Sequence, residues 1–221
     1  DAALEVHGLA HTFHRGTPSE NVALAGVDLV LEPGAFVVVL GSNGSGKSTL
    51  LNAIAGSLRP ETGRVVVEGT DVSRWPEARR ARRIARVFQD PFAGTASDMT
   101  VAENLAIAAK RGEARWLRRA LTRARREDFY GRVRTLGLGL EERLQTPMGI
   151  LSGGQRQALT LLMAMVVRPS LLMLDEHTAA LDPRSAEQVL RLTQEFVTTG
   201  RLTTIMVTHS LPQAVRLGDR I

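Results

Sequence analysis

The stretch that decides the fold is Phe36-Val37-Val38-Val39-Leu40, followed at once by a glycine-rich turn. Its β-branched residues are typical of a buried strand. The turn fits the pattern G-x-x-x-x-G-K-[S/T], and its residues are Gly41, Ser42, Asn43, Gly44, Ser45, Gly46, Lys47, Ser48 and Thr49. An apolar helical run begins at Leu50, so the order is strand, glycine turn and helix.

This order predicts a loop that binds phosphate groups. Glycines let successive backbone N–H groups turn toward phosphate oxygens, and the N-terminus of the next helix adds a positive dipole end. We expect Lys47 to reach the β- and γ-phosphates of a nucleotide and the Ser48 hydroxyl to coordinate Mg²⁺. A plain glycine turn with a chance Lys-Ser pair is the alternative, and the flanking strand and helix argue against it.

Two further apolar runs, Leu171–Leu174 and Thr203–Val207, indicate buried strands. Each is followed by a polar turn and a helical pattern, which is the alternation of a mostly parallel sheet. Nearer the N-terminus, apolar and polar residues alternate over Val27–Leu31 and Arg64–Glu68, which predicts half-exposed antiparallel strands. We therefore predict an α/β fold with a mostly parallel core sheet and an N-terminal antiparallel β subdomain.

Residues 100–146 differ from the rest because they lack a strand pattern and repeat apolar residues at helical spacing. We expect them to form a helical subdomain inserted into a single domain of 221 residues. Residues 1–99 and 147–221 then form the core together with the antiparallel β subdomain.

Two carboxylates, Asp175 and Glu176, stand directly after the apolar run at 171–174. In an open α/β sheet, ligands bind at the carboxyl ends of the strands. Asp175 suits Mg²⁺, and Glu176 could polarise water for attack on a γ-phosphate. Alone, a solvated pair at a strand end is the simpler interpretation, but beside the phosphate loop the pair indicates a site.

The composition fits an ordinary globular protein and excludes several kinds of chemistry. Hydrophobic residues make up 43% of the chain and charged residues 23%, so wholesale disorder is not expected. There is no cysteine, which excludes a disulfide framework, a thiolate metal site and a cysteine nucleophile. The longest apolar stretch, residues 158–167, is too short to cross a bilayer.

The net charge of +5 comes from one basic segment. From Lys110 to Arg134, ten basic residues stand against three acidic ones, a local excess of +7, so the remainder sums to −2. The segment predicts either a solvated helix face or a surface for anionic lipid headgroups or a membrane partner. Aromatic residues there are too few and too scattered for nucleic-acid binding. Its arginines are Arg111, Arg115, Arg118, Arg119, Arg123, Arg125, Arg126, Arg132 and Arg134.

The pentapeptide Leu151-Ser152-Gly153-Gly154-Gln155 precedes a helical run over residues 156–167. A glycine turn at a helix N-terminus is again an anion-binding arrangement, although a helix start alone is the simpler interpretation. This LSGGQ sequence resembles the signature motif of the ATP-binding-cassette (ABC) ATPases. The resemblance covers nearly the whole chain, with 105 positions from Lys47 to Ser152 and 23 from Ser152 to Asp175.

The resemblance implies further roles. Gln89 is similar to a glutamine that contacts Mg²⁺ and the attacking water, and His209 to a histidine that contacts the γ-phosphate. Asp182 ends the sequence Ala180-Leu181-Asp182, which resembles a loop that lines a dimer interface. Phe13 would stack on adenine, although it could equally belong to the core. Without the resemblance, His209 would be an ordinary histidine at a strand end.

In the family that the chain resembles, ATP lies between two such domains arranged head to tail. Ser152, Gly153, Gly154 and Gln155 would then serve the nucleotide held by the opposite subunit. The implied partners are a second copy of the chain, integral-membrane permease subunits and a periplasmic or extracellular substrate-binding protein. ATP and Mg²⁺ are the implied cofactors, and the cytoplasmic face of the membrane is the implied location. A soluble ABC-type ATPase that acts on nucleic acid or ribosomes is the alternative.

One departure from the family pattern is His177, where most members carry Pro or Ala. Its side chain could tune Glu176 electrostatically, or it could be a tolerated variation in a loop. The run from Glu176 to Asp182 resembles a bacterial branch of importer ATPases that work with periplasmic binding proteins for aromatic amino acids and related small molecules. We therefore expect import of a small solute.

Overall fold

The computed structural model describes residues 2–111 and 121–220, and these form two sheets flanked by helices. The strands are β1 (Leu4–Phe13), β2 (Asn21–Leu31), β3 (Phe36–Leu40), β4 (Thr62–Val67), β5 (Thr70–Asp71), β6 (Ile84–Val87), β7 (Leu171–Asp175) and β8 (Thr204–Thr208). The α-helices are α1 (Lys47–Ala55), α2 (Glu77–Arg80), α3 (Val101–Ala109), α4 (Arg123–Arg134), α5 (Gly153–Val166), α6 (Pro183–Gly200) and α7 (Leu211–Leu217). Short 3₁₀ turns occupy Leu140–Arg143 and Met148–Ile150.

The first sheet is parallel and has the strand order β3-β8-β7-β6. The strand predicted at residues 36–40 is confirmed. The strand predicted from Leu171 continues to Asp175, and the one predicted at 203–207 lies one residue further on. Strand β6 was missed because Arg86 interrupts its apolar run.

The parallel sheet is buried on both faces, and alternate residues enter two separate cores. Val37, Met173 and Ile205 pack against α1 and the other sheet. On the opposite face, Leu172 and Met206 pack in the core formed with α3, α4, α5 and α6. Burial on both faces explains why these strands are continuous apolar runs in the sequence.

The second sheet is antiparallel and has the order β2-β1-β4-β5. The antiparallel strands predicted at 27–31 and 64–68 lie within β2 and β4. Strand β1 was missed because its register shifts three times against β2, which breaks the alternation in its sequence. Together, the two sheets confirm the predicted fold class.

The predicted helical segment contains α3, α4 and a 3₁₀ turn, with no strand in its described residues, 100–111 and 121–146. Helix α3 begins at a capping box, in which the Thr100 side chain and the Glu103 carboxylate bond each other's backbone N–H. Both α3 and α4 pack against α5. No helix in the described ranges is long and apolar enough to cross a membrane.

The arginines of this segment are partly engaged within the chain. Arg111 donates to the backbone oxygens of Ala164 and Val167, so it anchors the end of α3 to α5, and burial lowers its pKa. On α4, Arg123 pairs with Glu127 and Arg132 pairs with Asp128, each at i,i+4 spacing. These pairs are typical of a solvated helix face. Three of the predicted surface arginines, Arg115, Arg118 and Arg119, lie outside the described residues.

Candidate functional site

The loops that follow the four parallel strands meet at one edge of the sheet. Leu40 is aligned with Thr208, Asp175 with Val207 and Val87 with Leu174, so the four strands end level. This edge is where ligands bind in open α/β sheets. It carries the phosphate loop, the carboxylate pair, Gln89 and His209, which the sequence predicted as parts of one site.

The phosphate loop is held by the lysine at its centre. The Lys47 ammonium Nζ lies 2.7 Å from the carbonyl oxygens of both Gly41 and Ser42 and 3.5 Å from the Ser45 hydroxyl. Lys47 is only 8% exposed, and its helix α1 begins there with the Ser48 hydroxyl in the first turn. The loop thus surrounds a buried positive charge at a helix N-terminus, which suits a polyphosphate.

Two glycines allow the close packing of this loop. A Cβ at Gly46 would lie 2.2 Å from the carbonyl oxygen of Ala23 on β2, and φ at Gly46 is +87°, a conformation that favours glycine. A Cβ at Gly41 would lie 2.6 Å from the Ser45 hydroxyl. Strand β2 of the antiparallel sheet therefore packs directly against the phosphate loop at Gly46.

The Asp175 carboxylate is held by an arginine that the sequence analysis missed. Arg86 on β6 donates to Asp175 Oδ2 at 2.6 Å and to the side-chain oxygen of Asn52 on α1, also at 2.6 Å. Asn52 lies one turn after Ser48, so Arg86 joins α1, β6 and β7 next to the predicted metal ligands. The sequence contains one signal of this role, because Arg86 is a charged residue within the otherwise apolar run 84–87.

Glu176 and His209 lie side by side at the ends of neighbouring strands. The Nδ1 atom of His209 is 3.4 Å from Oε2 of Glu176. The Glu176 side chain is 16% exposed, whereas that of His209 is 60% exposed, so the histidine is on the open side of the pair. Glu176 also has φ of +45°, which is rare for a residue with a side chain.

Gln89 follows β6 and reaches the same edge. A cleft of about 370 Å³ is lined by Gln89, Asp175 and Ala180, among others. Gln89 itself is exposed. The structure therefore places the predicted glutamine and the predicted metal-binding carboxylate at one opening.

The LSGGQ sequence forms the N-terminus of α5, as its glycine turn predicts. Ser152 accepts a hydrogen bond from the backbone N–H of Gln155, and the Gln155 side chain accepts one from that of Ser152. A Cβ at Gly154 would lie 2.6 Å from Ser185 in the first turn of α6, whereas one at Gly153 would make an ordinary contact of 3.5 Å with Leu181. The starts of α5 and α6 are thus in close contact.

Asp182 is the N-cap of α6. It accepts hydrogen bonds from the backbone N–H groups of Ser185 and Arg184, and hydrogen bonding with Ser185 lowers the pKa of Asp182. Asp182 is exposed in the single chain, as we expect of a residue that lines a dimer interface.

Phe13 lies at the end of β1, half-buried, with its ring in an edge-to-face contact with His11 at a centroid distance of 4.6 Å. It is therefore neither fully exposed nor part of the two cores.

His177 does not face Glu176, and it is not an unconstrained loop residue. Its imidazole is buried and lies 3.0 Å from the Thr193 hydroxyl on α6. Burial lowers the pKa of His177 to about 4, so the ring is neutral at physiological pH. A neutral ring directed at α6 argues against an electrostatic effect on Glu176, whereas the other interpretation, a tolerated variation in a loop, stays a prediction.

The donors at the edge fit a magnesium ion that is bound together with a nucleotide. Ser48, Asp175 and Gln89 offer a hydroxyl, a carboxylate and an amide oxygen, which are the hard ligands that Mg²⁺ prefers. Asp175 retains one oxygen beyond the one that Arg86 occupies. The described residues hold no cluster of three or more metal-ligating His, Asp or Glu side chains.

Comparisons with known proteins agree with this geometry. Residues 24–179 match the family model for the ABC transporter. The chain is 38% identical over 218 residues to the tyrosine transport ATP-binding protein of Clostridioides difficile, covering 99% of this chain and 86% of that protein. It is also 38% identical over 222 residues to lipoprotein-releasing system ATP-binding protein LolD 1 of Caulobacter vibrioides, covering 99% and 91%.

A solved structure with the same fold is that of the ATP-binding cassette MJ0796, a dimer in a post-hydrolysis state bound to ADP and Pi. It matches with a TM-score of 0.81 and 27% sequence identity, over 99% of this chain and 93% of that chain. The family match, the curated relatives and this cassette agree on one assignment. The chain belongs to the ABC transporter family, and it is an ATP-hydrolysing, ATP-binding subunit of that family.

Proposed function

We propose that Mg²⁺-ATP binds at the edge of the parallel sheet and that each side chain there has a distinct task. The backbone N–H groups of residues 41–48 and the Lys47 ammonium bind the β- and γ-phosphates. Ser48, Asp175 and Gln89 hold Mg²⁺, which draws charge from the phosphates when it is bound. The observation that carries the proposal is the convergence of these groups on one edge.

We propose that Glu176 polarises the attacking water and that His209 orients it and contacts the γ-phosphate. A general base must lie within hydrogen-bond reach of the proton that it accepts, and contacts in a free enzyme tighten when substrate binds. The 3.4 Å separation of His209 and Glu176 fits such a pair. Phe13, half-buried at the end of β1, is proposed to contact the adenine.

The signature residues are proposed to act on a second copy of the chain. Ser152, Gly153, Gly154 and Gln155 present the N-terminus of α5, with Ser152 exposed to solvent. The fold match to a dimeric cassette supports a head-to-tail homodimer, in which this terminus caps the nucleotide of the opposite phosphate loop. A second helix N-terminus at the γ-phosphate spreads positive potential around the charge that develops during hydrolysis. Asp182, exposed at the start of α6, then lies along the interface.

A permease subunit is proposed to dock in the apolar groove between α2 and α3. The groove has a volume of about 1120 Å³; apolar side chains that include Phe88, Ile107 and Met163 line it, together with basic residues such as Arg79. Ile107 is 54% exposed although it is apolar, which indicates a protein contact. An amphipathic helix from a cytoplasmic loop of the permease fits a largely apolar groove that also contains basic side chains.

Import of a small solute at the cytoplasmic face of the membrane, with a periplasmic or extracellular substrate-binding protein, is the transport reaction we propose. The similarity to a protein named for tyrosine transport supports an amino acid or a related small molecule. The relative named for lipoprotein release makes export the alternative. The direction of transport, measured after reconstitution with a permease, would distinguish export from import.

Replacement of Glu176 by Gln tests the proposed chemistry. The amide keeps the size of the side chain but cannot accept a proton, so we expect turnover to fall by about 10²-fold or more while ATP affinity is retained. The variant should also accumulate an ATP-bound dimer. Steady-state phosphate release, direct titration with ATP and analytical ultracentrifugation measure the three quantities.

Lys47→Ala is the matched control, because it removes a phosphate-binding charge at the same site. It should weaken ATP binding itself and abolish the ATP-dependent dimer. Turnover that survives Glu176→Gln would refute the assignment of the base, and unchanged affinity in Lys47→Ala would refute the phosphate loop.

A further inference from the structure

Gln157 is fully buried in α5 and connects two loops of the site. Its side-chain Nε2 donates to the carbonyl oxygen of Phe88 at 2.9 Å and to that of His177 at 2.7 Å. Both acceptors are backbone carbonyls, so the amide must turn its NH₂ group toward them. A buried carbonyl that loses its donor is costly, which makes this amide difficult to replace by an apolar side chain.

The two carbonyls belong to the neighbours of the residues proposed to hydrolyse ATP. Phe88 immediately precedes Gln89, and His177 immediately follows Glu176. The strands that lead to these residues are paired in the sheet, with Val87 aligned with Leu174. Gln157 therefore links the segments that follow β6 and β7, just beyond the last residue pair of these two strands.

A second contact fixes His177 from the other side. Its Nε2 lies 3.0 Å from the Thr193 hydroxyl, and that hydroxyl donates to the backbone oxygen of Val189. Because the hydroxyl proton is used on Val189, the oxygen accepts from His177, whose ring therefore carries its proton on Nε2. The residue after Glu176 is thus held by α5 through its carbonyl and by α6 through its side chain.

Glu176 itself has a backbone conformation that needs such support. Its φ of +45° lies in the left-handed region that side chains rarely adopt. Its N–H donates to the Val207 oxygen at 2.9 Å, and its carbonyl accepts from the N–H of Ala179 at 2.9 Å. Strained backbone at a reactive residue persists only where the surroundings fix it from several sides.

We propose that Gln157 is a positioning residue for ATP hydrolysis, which couples the signature helix α5 to Gln89 and Glu176 through the carbonyls of Phe88 and His177. This inference rests on the roles proposed above for Gln89 and Glu176. Gln157 stands two residues after Gln155 in one continuous helix. Any shift of α5 when its N-terminus meets the nucleotide of the opposite subunit therefore moves both carbonyls, and with them the water-activating groups.

The first test is Gln157→Met, which keeps the length of the side chain and removes both donors. We expect kcat to fall by about tenfold or more, because small displacements of reacting groups have large effects on rate. The KM for ATP and the directly titrated ATP affinity should stay within about twofold, since the phosphate loop is unchanged. A kcat within twofold of the wild type would overturn the proposal.

The second test is a matched pair of threonine variants, which removes the other anchor of His177 and leaves Gln157 unchanged; if Gln157→Met fails to fold, Gln157→Leu takes its place in the first test. Thr160 and Thr193 are both buried in helices, and each hydroxyl donates to the carbonyl four residues earlier. Only Thr193 also accepts from His177. Thr193→Val should therefore lower kcat by about threefold or more at unchanged KM, whereas Thr160→Val should leave kcat unchanged at a similar loss of thermal stability. Equal effects of the two variants on kcat would refute the role of the His177 anchor.

The Glu176→Gln variant distinguishes a wrong assignment of the base from a wrong assignment of Gln157 as a positioning residue. If it retains turnover, the proposed base is wrong. If it loses turnover while Gln157→Met and Thr193→Val both match the wild type, only the positioning role is refuted.

Discussion

Individual residues at this site are held by contacts with other motifs more than by their own neighbours in sequence. Arg86 fixes Asp175 from the next strand, and Gln157 fixes the loop after Glu176 from a helix. The Asp175–Arg86 pair is well shielded, with both side chains 14% exposed. A shielded pair with a third partner in Asn52 keeps its geometry better than a surface pair does.

His177 gives the fold a defined dependence on pH. Above pH 6.5 its ring is neutral in both the folded and the unfolded chain, so its contribution to stability is complete. Because the folded-state pKa is lowered to about 4, the unfolded chain binds a proton between pH 6.5 and 4 that the folded chain excludes. The free energy of unfolding should therefore fall by about 3 kcal/mol over this range on account of His177.

His177→Gln checks this prediction, because glutamine keeps a donor for Thr193 but does not titrate. Its stability, measured by urea denaturation at several pH values, should fall less steeply than that of the wild type between pH 6.5 and 4. His14→Asn is the control, since His14 is exposed with φ of +54° and asparagine tolerates that conformation. Parallel curves for the wild type and His177→Gln would contradict the buried, neutral state.

At the scale of elements, two helices begin with the same type of capping box but have different roles. Thr100 caps α3, which packs within the helical segment, and Ser152 caps α5 at the proposed interface. Each cap satisfies an N–H group at a helix end that would otherwise lack a partner. The two boxes therefore allow a comparison of a structural cap with a functional one.

Thr100→Ala and Ser152→Ala should each lower the free energy of unfolding by about 1 kcal/mol, since each removes one capping oxygen. Only Ser152→Ala should weaken the ATP-bound dimer in the Glu176→Gln background. Denaturant midpoints and sedimentation measure the two effects. If Thr100→Ala weakened the dimer equally, the effect of Ser152 would be one of stability alone.

The elements also show what could be predicted from the sequence. The strands at 36–40 and 171–175 were predictable because burial on both faces leaves an unbroken apolar run. Strand β6 was not, since the arginine within it is explained by Asp175 and Asn52, which lie 89 and 34 positions away. The phosphate loop and the carboxylate pair were identified from the strands that precede them, whereas Gln89, Asp182 and His209 were identified because the chain resembles a family. The contacts of Gln157 and His177 depend on how α5 and α6 pack, which no local pattern encodes.

At the scale of the whole molecule, the proposed head-to-tail dimer predicts complementation between two defective variants. Gly153→Asp places a negative charge at the signature, where a Cβ has ordinary space, and Lys47→Ala disables the phosphate loop. In a mixed dimer, one nucleotide site contains both changes and the other contains neither. Mixing should therefore restore an ATP-dependent dimer that neither variant forms alone, and sedimentation would detect it.

The control for this experiment is Lys47→Ala combined with Gly153→Asp in one chain and mixed with the wild type. Each site of that mixed dimer then carries one defect, so a labelled double variant should not sediment as a dimer, although the unlabelled wild type still dimerises with ATP. Restoration in neither mixture would show that signature and phosphate loop do not meet across subunits.

The hydrogen bonds of Lys47 within its own loop have a consequence for how ATP arrives. The ammonium already bridges the oxygens of Gly41 and Ser42, and Gly46 packs against Ala23 on β2, so the loop is held in shape before a nucleotide binds. An incoming triphosphate then replaces hydrogen-bond partners in a loop that is already ordered, and it does not have to order the loop. We therefore expect little conformational entropy to be lost when the nucleotide binds.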